Sequence, residues 1–120
     1  MDEKVNLAEK LALFDDVFRP RIVGHLNDYK LAVVRVLGEF VWHRHEGTDD
    51  FFLVLAGRLT IQLRGGDVVL GPGELYVVPR GVEHCPRAEE ETHVLLIEPA
   101  GTVNTGDAAP SELTAPEQAI

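Results

Sequence analysis

Residues 50–63, Asp50-Phe-Phe-Leu-Val-Leu-Ala-Gly-Arg-Leu-Thr-Ile-Gln-Leu63, contain two apolar segments that meet at Ala56-Gly57. Aromatic and β-branched residues are enriched in strands, and glycine adopts the backbone conformations of a tight turn without steric cost. This stretch therefore predicts a β-hairpin, with strands over Phe51–Ala56 and Arg58–Leu63.

Segments of the same kind follow one another through most of the chain. The turns between them contain Asn27-Asp28, Gly65-Gly66, Gly71-Pro72-Gly73 and Pro79-Arg80-Gly81. The other predicted strands are Arg21–His25, Leu31–Leu37, Glu39–Arg44, Asp67–Leu70, Leu75–Val78, Glu83–Pro86 and His93–Glu98. Many short strands at close spacing indicate an all-β domain built from successive antiparallel hairpins.

The two ends of the chain differ from this pattern. Residues 5–14 place Leu7, Leu11 and Phe14 on one side at helical spacing, which predicts a short helix packed against the β-domain. Beyond Pro99 the chain is rich in Gly, Thr, Ala and Pro, a composition typical of a mobile tail. We therefore expect an N-terminal helix and lead-in over residues 1–20, a β-barrel over 21–99 and a flexible tail over 100–120.

The length and composition indicate a single soluble domain. A chain of 120 residues can bury one core without cross-links. Its apolar runs are all shorter than the roughly 20 residues that span a bilayer. The first residues, Met1-Asp2-Glu3-Lys4, lack the basic and apolar regions of a secretory signal, so we expect a cytoplasmic protein.

Charge and cysteine content exclude several classes of function. The net charge of −9, from 20 acidic and 11 basic residues, repels nucleic acids and anionic membrane surfaces. The single cysteine, Cys85, excludes an intramolecular disulfide framework and a four-thiolate metal site. A small-molecule ligand remains the expected partner.

Two histidines stand two residues apart in the segment Gly38-Glu-Phe-Val-Trp-His43-Arg-His45. Alternation along a strand places Glu39, Val41 and both histidines on one face, and Phe40, Trp42 and Arg44 on the other. Paired imidazoles on one face of a strand can chelate a divalent metal ion. The alternative is a pair of histidines whose hydrogen bonds are satisfied within the protein or by water.

A third histidine ends the segment Gly73-Glu-Leu-Tyr-Val-Val-Pro79-Arg-Gly81-Val-Glu-His84. The predicted strand Leu75–Val78 leads into a Pro/Gly turn, and His84 lies at the start of the next predicted strand. A turn between two strand ends can bring His84 opposite the first pair. Three imidazoles would then surround one point.

These two segments resemble the motifs of the cupin superfamily. The first motif runs Gly, a short spacer, His-x-His, three or four residues, Glu, six residues and Gly. It is similar to the series Gly38, His43, His45, Asp50 and Gly57, in which Asp replaces the usual Glu.

The second cupin motif runs Gly, five residues, Pro-x-Gly, two residues, His, three residues and Asn. Gly73, Pro79, Gly81 and His84 match it in register, and Ala88 stands where Asn is expected. The resemblance covers roughly residues 30–99 and is greatest to small single-domain cupins. It implies an antiparallel double-stranded β-helix, or jelly-roll barrel, and a homodimer.

The resemblance also implies one divalent metal ion inside the barrel, bound by His43, His45 and His84. Asp50 is one methylene shorter than Glu, so its carboxylate reaches about 1–1.5 Å less far. Four roles are open to it: ligand after a small backbone shift, hydrogen-bond acceptor for a metal-bound water, orienting partner of a ligand histidine, or solvated loop residue. Three imidazoles and an uncertain carboxylate suit Fe, Mn, Ni, Cu or Zn.

Two further residues are candidate catalytic groups. Glu39 shares the predicted face of the histidines and could act as acid or base, unless a bulge after Gly38 carries it to the barrel mouth. Tyr76 could donate its hydroxyl into the cavity, and its alternative role is packing.

The remaining polar and aromatic residues have structural interpretations. Alternation points Cys85 away from the metal as a packed thiol. His25 and His93 lie outside both motifs and are expected at the surface or an interface. Phe40 and Trp42 are expected to pack the barrel against the helix or a second subunit.

Three functions are compatible with these features. The first is a metalloenzyme for a small oxygenated metabolite, of dioxygenase, isomerase, decarboxylase or lyase type. The second is a non-catalytic small-molecule-binding or sensor protein. The third is a structural protein with vestigial histidines. We favour the first over the second.

Overall fold

The computed structural model describes residues 3–120, which form one short helix and seven strands. In chain order these are α1 (Leu7–Leu11), β1 (Arg21–Leu26), β2 (Tyr29–Glu39), β3 (Asp50–Ala56), β4 (Leu59–Leu63), β5 (Val68–Leu70), β6 (Leu75–Val78) and β7 (His84–Pro99). The predicted all-β jelly-roll barrel with a short N-terminal helix is confirmed. Within residues 3–120, no helix has the length and apolar character needed to cross a membrane.

All strand pairings are antiparallel, and β7 is the strand that joins the sheet together. The sheet order is β1-β2-β7-β3-β6, and β4 pairs with both β5 and β7. The 16 residues of β7 therefore pair with β2, β3 and β4 in turn. Two neighbouring strands, β3 and β7, also begin at residues of the cupin-like motifs, Asp50 and His84.

The core lies between the inward faces of these strands. Alternate residues of β2, β3, β4 and β7 are apolar and nearly inaccessible to solvent. They include Val34, Val36, Phe52, Val54, Leu59, Ile61, Val94 and Leu96. Full burial of such a side chain contributes about 1.5–3 kcal/mol, so the inward faces dominate the stability of the barrel.

One long strand replaces two predicted ones. The predicted strands Glu83–Pro86 and His93–Glu98 are the two ends of β7, which continues through the acidic residues between them. In that middle part Ala88 and Thr92 keep the inward alternation and are buried, while Glu89, Glu90 and Glu91 are exposed. The acidic run therefore marks a solvent-facing part of a strand and not a break.

The predicted strand Glu39–Arg44 is wrong. β2 ends at Glu39, after a register shift at Gly38, whose φ is +90°. Residues 40–49 are irregular except for an isolated bridge between His43 and His84. Strand alternation does not govern which way the side chains of this segment point.

The N-terminal helix is shorter than the predicted 5–14. The guanidinium of Arg35 donates to the carbonyl of Leu11 (2.7 Å), the last helical residue, and to that of Phe14 (2.9 Å), which lies beyond the helix. Leu11 is buried against the barrel, while Leu7 and Phe14 are only half-buried. Residues 1–2 of the predicted N-terminal segment lie outside the described residues.

Residues 100–120 contact the barrel at several points, which differs from the expected free tail. Ile22 N donates to Gln118 O (2.8 Å), and Ile120 N donates to Ile22 O (3.0 Å). Thr105 is only 1 % exposed. The composition of residues 100–120 is typical of a tail, and composition carries no information about these long-range contacts. The division of the chain at residues 20 and 99 stays a prediction.

Candidate metal centre

Four side chains converge on one point inside the barrel. They are His43, His45, Asp50 and His84, and one potential ligand atom from each lies within 4.8 Å of all the others. All four are buried, with exposed fractions between 1 % and 8 %. The structure thus brings the three predicted histidines together and adds Asp50 to them, which is inconsistent with a solvated loop end.

Backbone contacts at strand ends hold these residues in place. His43 and His84 exchange two backbone hydrogen bonds of 2.9 Å each. Gly81 N donates to His45 O (2.8 Å), which ties the histidine segment to the Pro/Gly turn. Asp50 begins β3, so its backbone is already fixed by the ladder with β6. The cluster therefore depends on three separate parts of the chain.

Hydrogen bonds set the tautomers of two imidazoles. Nδ1 of His43 lies 2.8 Å from Val41 O, and Nδ1 of His84 lies 2.8 Å from Val82 O. A carbonyl oxygen can only accept, so each Nδ1 carries a hydrogen. In its neutral form, a ring with the hydrogen on Nδ1 directs the Nε2 lone pair into the cluster, and this is the form that binds a metal ion.

The carboxylate of Asp50 faces two of these ring nitrogens. Its Oδ2 is 2.9 Å from His84 Nε2 and 3.4 Å from His45 Nε2. Because a lone pair on His84 Nε2 would meet another acceptor, a proton or a metal ion must lie between them. Ligand atoms bonded to one ion at about 2.0–2.2 Å are themselves about 3 Å apart. The four residues therefore fit a divalent ion.

Burial and hydrogen bonding set the charges of the cluster. Burial lowers the pKa of His43 to about 4, so its ring is neutral near pH 7. Burial alone would raise the pKa of Asp50, but hydrogen bonds with His45 and His84 lower it to about 2. Burial would lower the pKa of His45, yet its hydrogen bond with Asp50 produces a net increase. The cluster therefore contains an anionic carboxylate, that of Asp50, among imidazoles.

A cavity of about 60 Å³ opens beside the cluster. His43, His45 and Asp50 form one part of its wall, and most of the remainder is apolar. The other lining residues are Phe18, Pro20, Val34, Val36, Phe40, Phe52, Leu59, Pro86, Val94, Leu96, Glu98 and Asn104. Such a space holds a few water molecules or part of a small ligand.

Glu98 is a cavity residue that the sequence analysis missed. It is 5 % exposed, and its Oε1 lies 3.4 Å from the buried Nζ of Lys30. Burial, followed by the charge of Asp50, raises the pKa of Glu98 to about 7. Strand alternation could have indicated its position, because Val94, Leu96 and Glu98 occupy every second residue of β7 and share its inward face.

The two predicted catalytic residues do not line this cavity. Glu39 is exposed, and its Oε2 accepts a hydrogen bond from Gln62 Nε2 (3.4 Å). Its inward assignment is wrong because Glu39 still belongs to β2, in which Val34 and Val36 point inward and Glu39 has the opposite parity. Tyr76 is half-buried and packs against the hydrophobic core, as its alternative interpretation anticipated.

The prediction for Phe40 is also wrong. Phe40 lines the cavity, with its ring edge-on to His43 (centroids 5.4 Å apart) and stacked on Phe18 (5.1 Å). Trp42 is half-buried and lies beneath the guanidinium of Arg64, 3.7 Å from the ring centroid. Phe40 continues the inward alternation of Val34 and Val36, and its ring contributes to the apolar wall beside the histidines.

Residues outside the cluster have the expected structural positions. Cys85 is completely buried, and burial raises the pKa of its thiol to about 11, so it is a packed thiol. His25 is exposed on β1. His93 is half-buried, with Nε2 3.1 Å from the Arg35 guanidinium. Neither histidine belongs to the buried cluster.

The fold and the cluster together define a jelly-roll barrel with three histidines and one carboxylate around a point inside it. A family model described as "Cupin domain" matches residues 31–98, which is more than half of the chain. The chain therefore belongs to the cupin-domain family. The family predicted from the two histidine motifs is confirmed.

The chain is also similar to individual proteins. Uncharacterized protein YdbB of Bacillus subtilis is 30 % identical over 77 residues, covering 63 % of this chain and 68 % of that protein. The crystal structure of a cupin-2 domain containing protein from Shewanella frigidimarina is 45 % identical with a TM-score of 0.78, covering 79 % of this chain and 93 % of that one.

A hydroquinone 1,2-dioxygenase from Sphingomonas sp. TTNP3, solved with 4-hydroxybenzoate bound, shares the fold. It is 20 % identical, covers 76 % of this chain and 72 % of that one, and has a TM-score of 0.64. At this identity the likeness concerns the fold alone.

Proposed function

We propose that this cupin is a metal-dependent enzyme that acts on a small oxygenated molecule. The proposal rests mainly on the 2.9 Å distance between Asp50 Oδ2 and His84 Nε2. These atoms lie at one end of a largely apolar cavity. The buried carboxylate of Asp50 needs a compensating proton or cation, and a divalent ion held by all four residues would supply the positive charge. The likeness in fold to a dioxygenase is compatible with this class.

The residues of the site have two kinds of role: some would bind the metal ion, and others would contact or react with the ligand. His43, His45, His84 and Asp50 would hold the ion, which would supply Lewis-acid or redox chemistry when bound. Inclusion of the Asp50 carboxylate favours iron or manganese over zinc or copper. The apolar wall excludes water from the ligand. Glu98, the acid in that wall, would exchange a proton with an oxygen of the ligand.

The proposed assembly is a cytoplasmic homodimer formed through the outer face of the sheet. On the edge strand β6, Leu75 and Val77 are 54 % and 40 % exposed. Their partners across the ladder are Leu53 and Phe51, which are half-buried apolar residues. A continuous apolar strip of this kind supports self-association.

Elemental analysis tests the metal centre directly. We expect near-stoichiometric metal in the protein expressed without a metal-binding tag, and none in the double variant His43→Ala/His84→Ala. The variant His25→Ala/His93→Ala is the matched control, because it also removes two histidines but leaves the cluster intact. Metal loss in both variants, or in neither, would refute the assignment.

Incubation of the metal-loaded protein with candidate substrates then distinguishes an enzyme from a binding protein. A panel of small hydroxy acids, enolisable ketones and diphenols is incubated with it and followed by chromatography. Consumption that requires both the ion and Glu98 supports the enzyme, with Glu98→Gln as the variant. Saturable binding without consumption would instead favour the sensor function.

A further inference from the structure

The segment that carries two of the proposed ligands has little regular structure of its own. Residues 40–49 contribute one isolated bridge, from His43 to His84, and are otherwise outside the strands. A metal site needs ligand atoms held to within a few tenths of an ångström. Other contacts must therefore fix this segment.

Besides the backbone bonds of His43 with His84 and of Gly81 N with His45 O, further contacts come from residues 103–107, which we call the C-terminal arm. Asp107 Oδ1 accepts a hydrogen bond from Arg44 N (2.7 Å), and Asp107 N donates to Arg44 O (3.1 Å). Arg44 Nε also lies 3.3 Å from Asp107 Oδ2. Arg44 stands between His43 and His45, so these bonds hold the backbone that links the two imidazoles.

Gly106 brings the arm into direct contact with a ligand. A Cβ at this position would lie 2.4 Å from Arg44 O and 3.0 Å from His43 Cδ2, and its φ is +54°. Real Cβ atoms do not approach backbone so closely. Only glycine lets the arm lie directly against the His43 ring.

The arm is itself anchored to the rest of the C-terminal residues. Thr105 is 1 % exposed, with its hydroxyl 3.0 Å from that of Thr114. Asn104 lines the cavity, and its amide donates to Leu113 O (2.9 Å) while its Oδ1 accepts from Ala115 N (2.9 Å). An anchored arm can fix the position of a ligand segment, whereas a loose one cannot.

We propose that Gly106 and Asp107 are positioning residues of the metal centre, holding His43 and His45 at the distance from Asp50 and His84 that the ion requires. The inference rests on the proposed function, since it needs a metal to be bound. The hydrogen bond from Arg44 N to Asp107 Oδ1 is the decisive contact, because it acts on the backbone between the two histidines.

Three variants test the role of Asp107 in the full chain. Asp107→Ala removes the acceptor, Asp107→Asn keeps Oδ1 but removes the charge, and Glu112→Ala removes one exposed charge elsewhere in residues 100–120. The readouts are Zn(II) affinity by competition with a chromophoric chelator, the visible spectrum of the Co(II)-loaded protein, and the melting temperature without metal.

We expect Asp107→Ala to weaken Zn(II) binding by about tenfold or more, as loss of an orienting partner does in other metal sites. Asp107→Asn should stay within about threefold of wild type and Glu112→Ala should be unchanged. The metal-free melting temperature should change by only about 2 °C, because the contact is at the surface. Gly106→Ala should alter the Co(II) spectrum.

Wild-type affinity in Asp107→Ala would overturn the inference. An equal loss in Asp107→Asn would also overturn it, because charge and not position would then be responsible. Failure of the wild-type protein itself to bind Zn(II) or Co(II) would instead refute the proposed function, so the two failures are distinguishable.

Discussion

The charge of Glu98 depends strongly on the surrounding barrel. Its carboxyl is buried between Lys30 on β2 and Asp50 on β3, with Glu117 on the far side of Lys30 and His45 nearby. Burial raises its pKa from 4.5 to about 7, so the folded protein keeps a proton that the unfolded chain releases.

This shift predicts a specific dependence of stability on pH. Protonated Glu98 adds stability that is complete below pH 4.5 and is lost as pH rises through about 7. Metal-free wild-type protein should therefore lose about 3 kcal/mol relative to Glu98→Gln across that range. Denaturant unfolding in chelator at pH 4.5, 6 and 7.5 measures the difference.

Glu117→Gln is the control for that experiment. Its carboxylate also contacts Lys30, at 2.9 Å, but is 43 % exposed. It should follow the pH dependence of the wild-type protein. A constant difference between Glu98→Gln and wild type at all three pH values would contradict a buried, protonated Glu98.

Among the elements, the turn between β3 and β4 illustrates why a motif glycine is required. Gly57 has φ of +86°, and a Cβ there would lie 2.5 Å from Thr92 Oγ1 and 2.7 Å from Glu91 O. Gly73 has nearly the same φ, +82°, but nothing within 4 Å of its Cβ position. The two positions have similar φ angles but differ in the space around them.

Replacement of each glycine by alanine should separate the cost of a positive φ from the cost of a steric collision. Gly73→Ala carries only the strain of a positive φ and should cost about 1 kcal/mol of unfolding free energy. Gly57→Ala adds a collision with β7 and should cost about 3 kcal/mol or more. Urea unfolding measures both, and equal losses would show that the contact with Thr92 is unimportant.

Local sequence patterns predicted the strands but not their interruptions. The apolar alternation in Phe51–Ala56 and Arg58–Leu63 located β3 and β4 to within one residue. The spacing of His43, His45 and His84 correctly indicated that they meet. The face of Glu39 was mistaken because it was counted back from His43 and His45, and the irregular backbone between Phe40 and His43, which residue types do not reveal, interrupts that alternation.

For the whole molecule, an ion that binds only the folded state should raise the melting temperature. At a free metal concentration one hundred times its Kd, the gain is about 2.7 kcal/mol. For a chain of this length that corresponds to roughly 10 °C. Thermal unfolding with chelator and with excess metal measures it.

The gain should diminish as the pH falls, first where His45, whose pKa is raised above 6.5, takes up a proton, and again near pH 4, where His43 does. The double variant His43→Ala/His84→Ala should show no gain at any pH. Identical melting temperatures for chelated and metal-supplemented wild-type protein at neutral pH would argue against a tight site.

The end of the chain shows where prediction from local pattern is insufficient. Its composition indicated a tail, yet Lys30 Nζ lies 3.0 Å from Thr102 O and 2.9 Å from Glu117 Oε2. Partners 72 and 87 residues apart in the sequence leave no local signal. The contribution of the C-terminal arm to the candidate site could be recognised only in three dimensions.

The position of β7 in the chain has a consequence for synthesis of the protein. Because β2, β3 and β4 all pair with this strand, none of them has its full set of neighbours until residues 84–99 have left the ribosome. Their unpaired edges stay open to other chains during translation. Pairing across such long sequence separations is also slow. The nascent chain is therefore most vulnerable to aggregation just before β7 emerges.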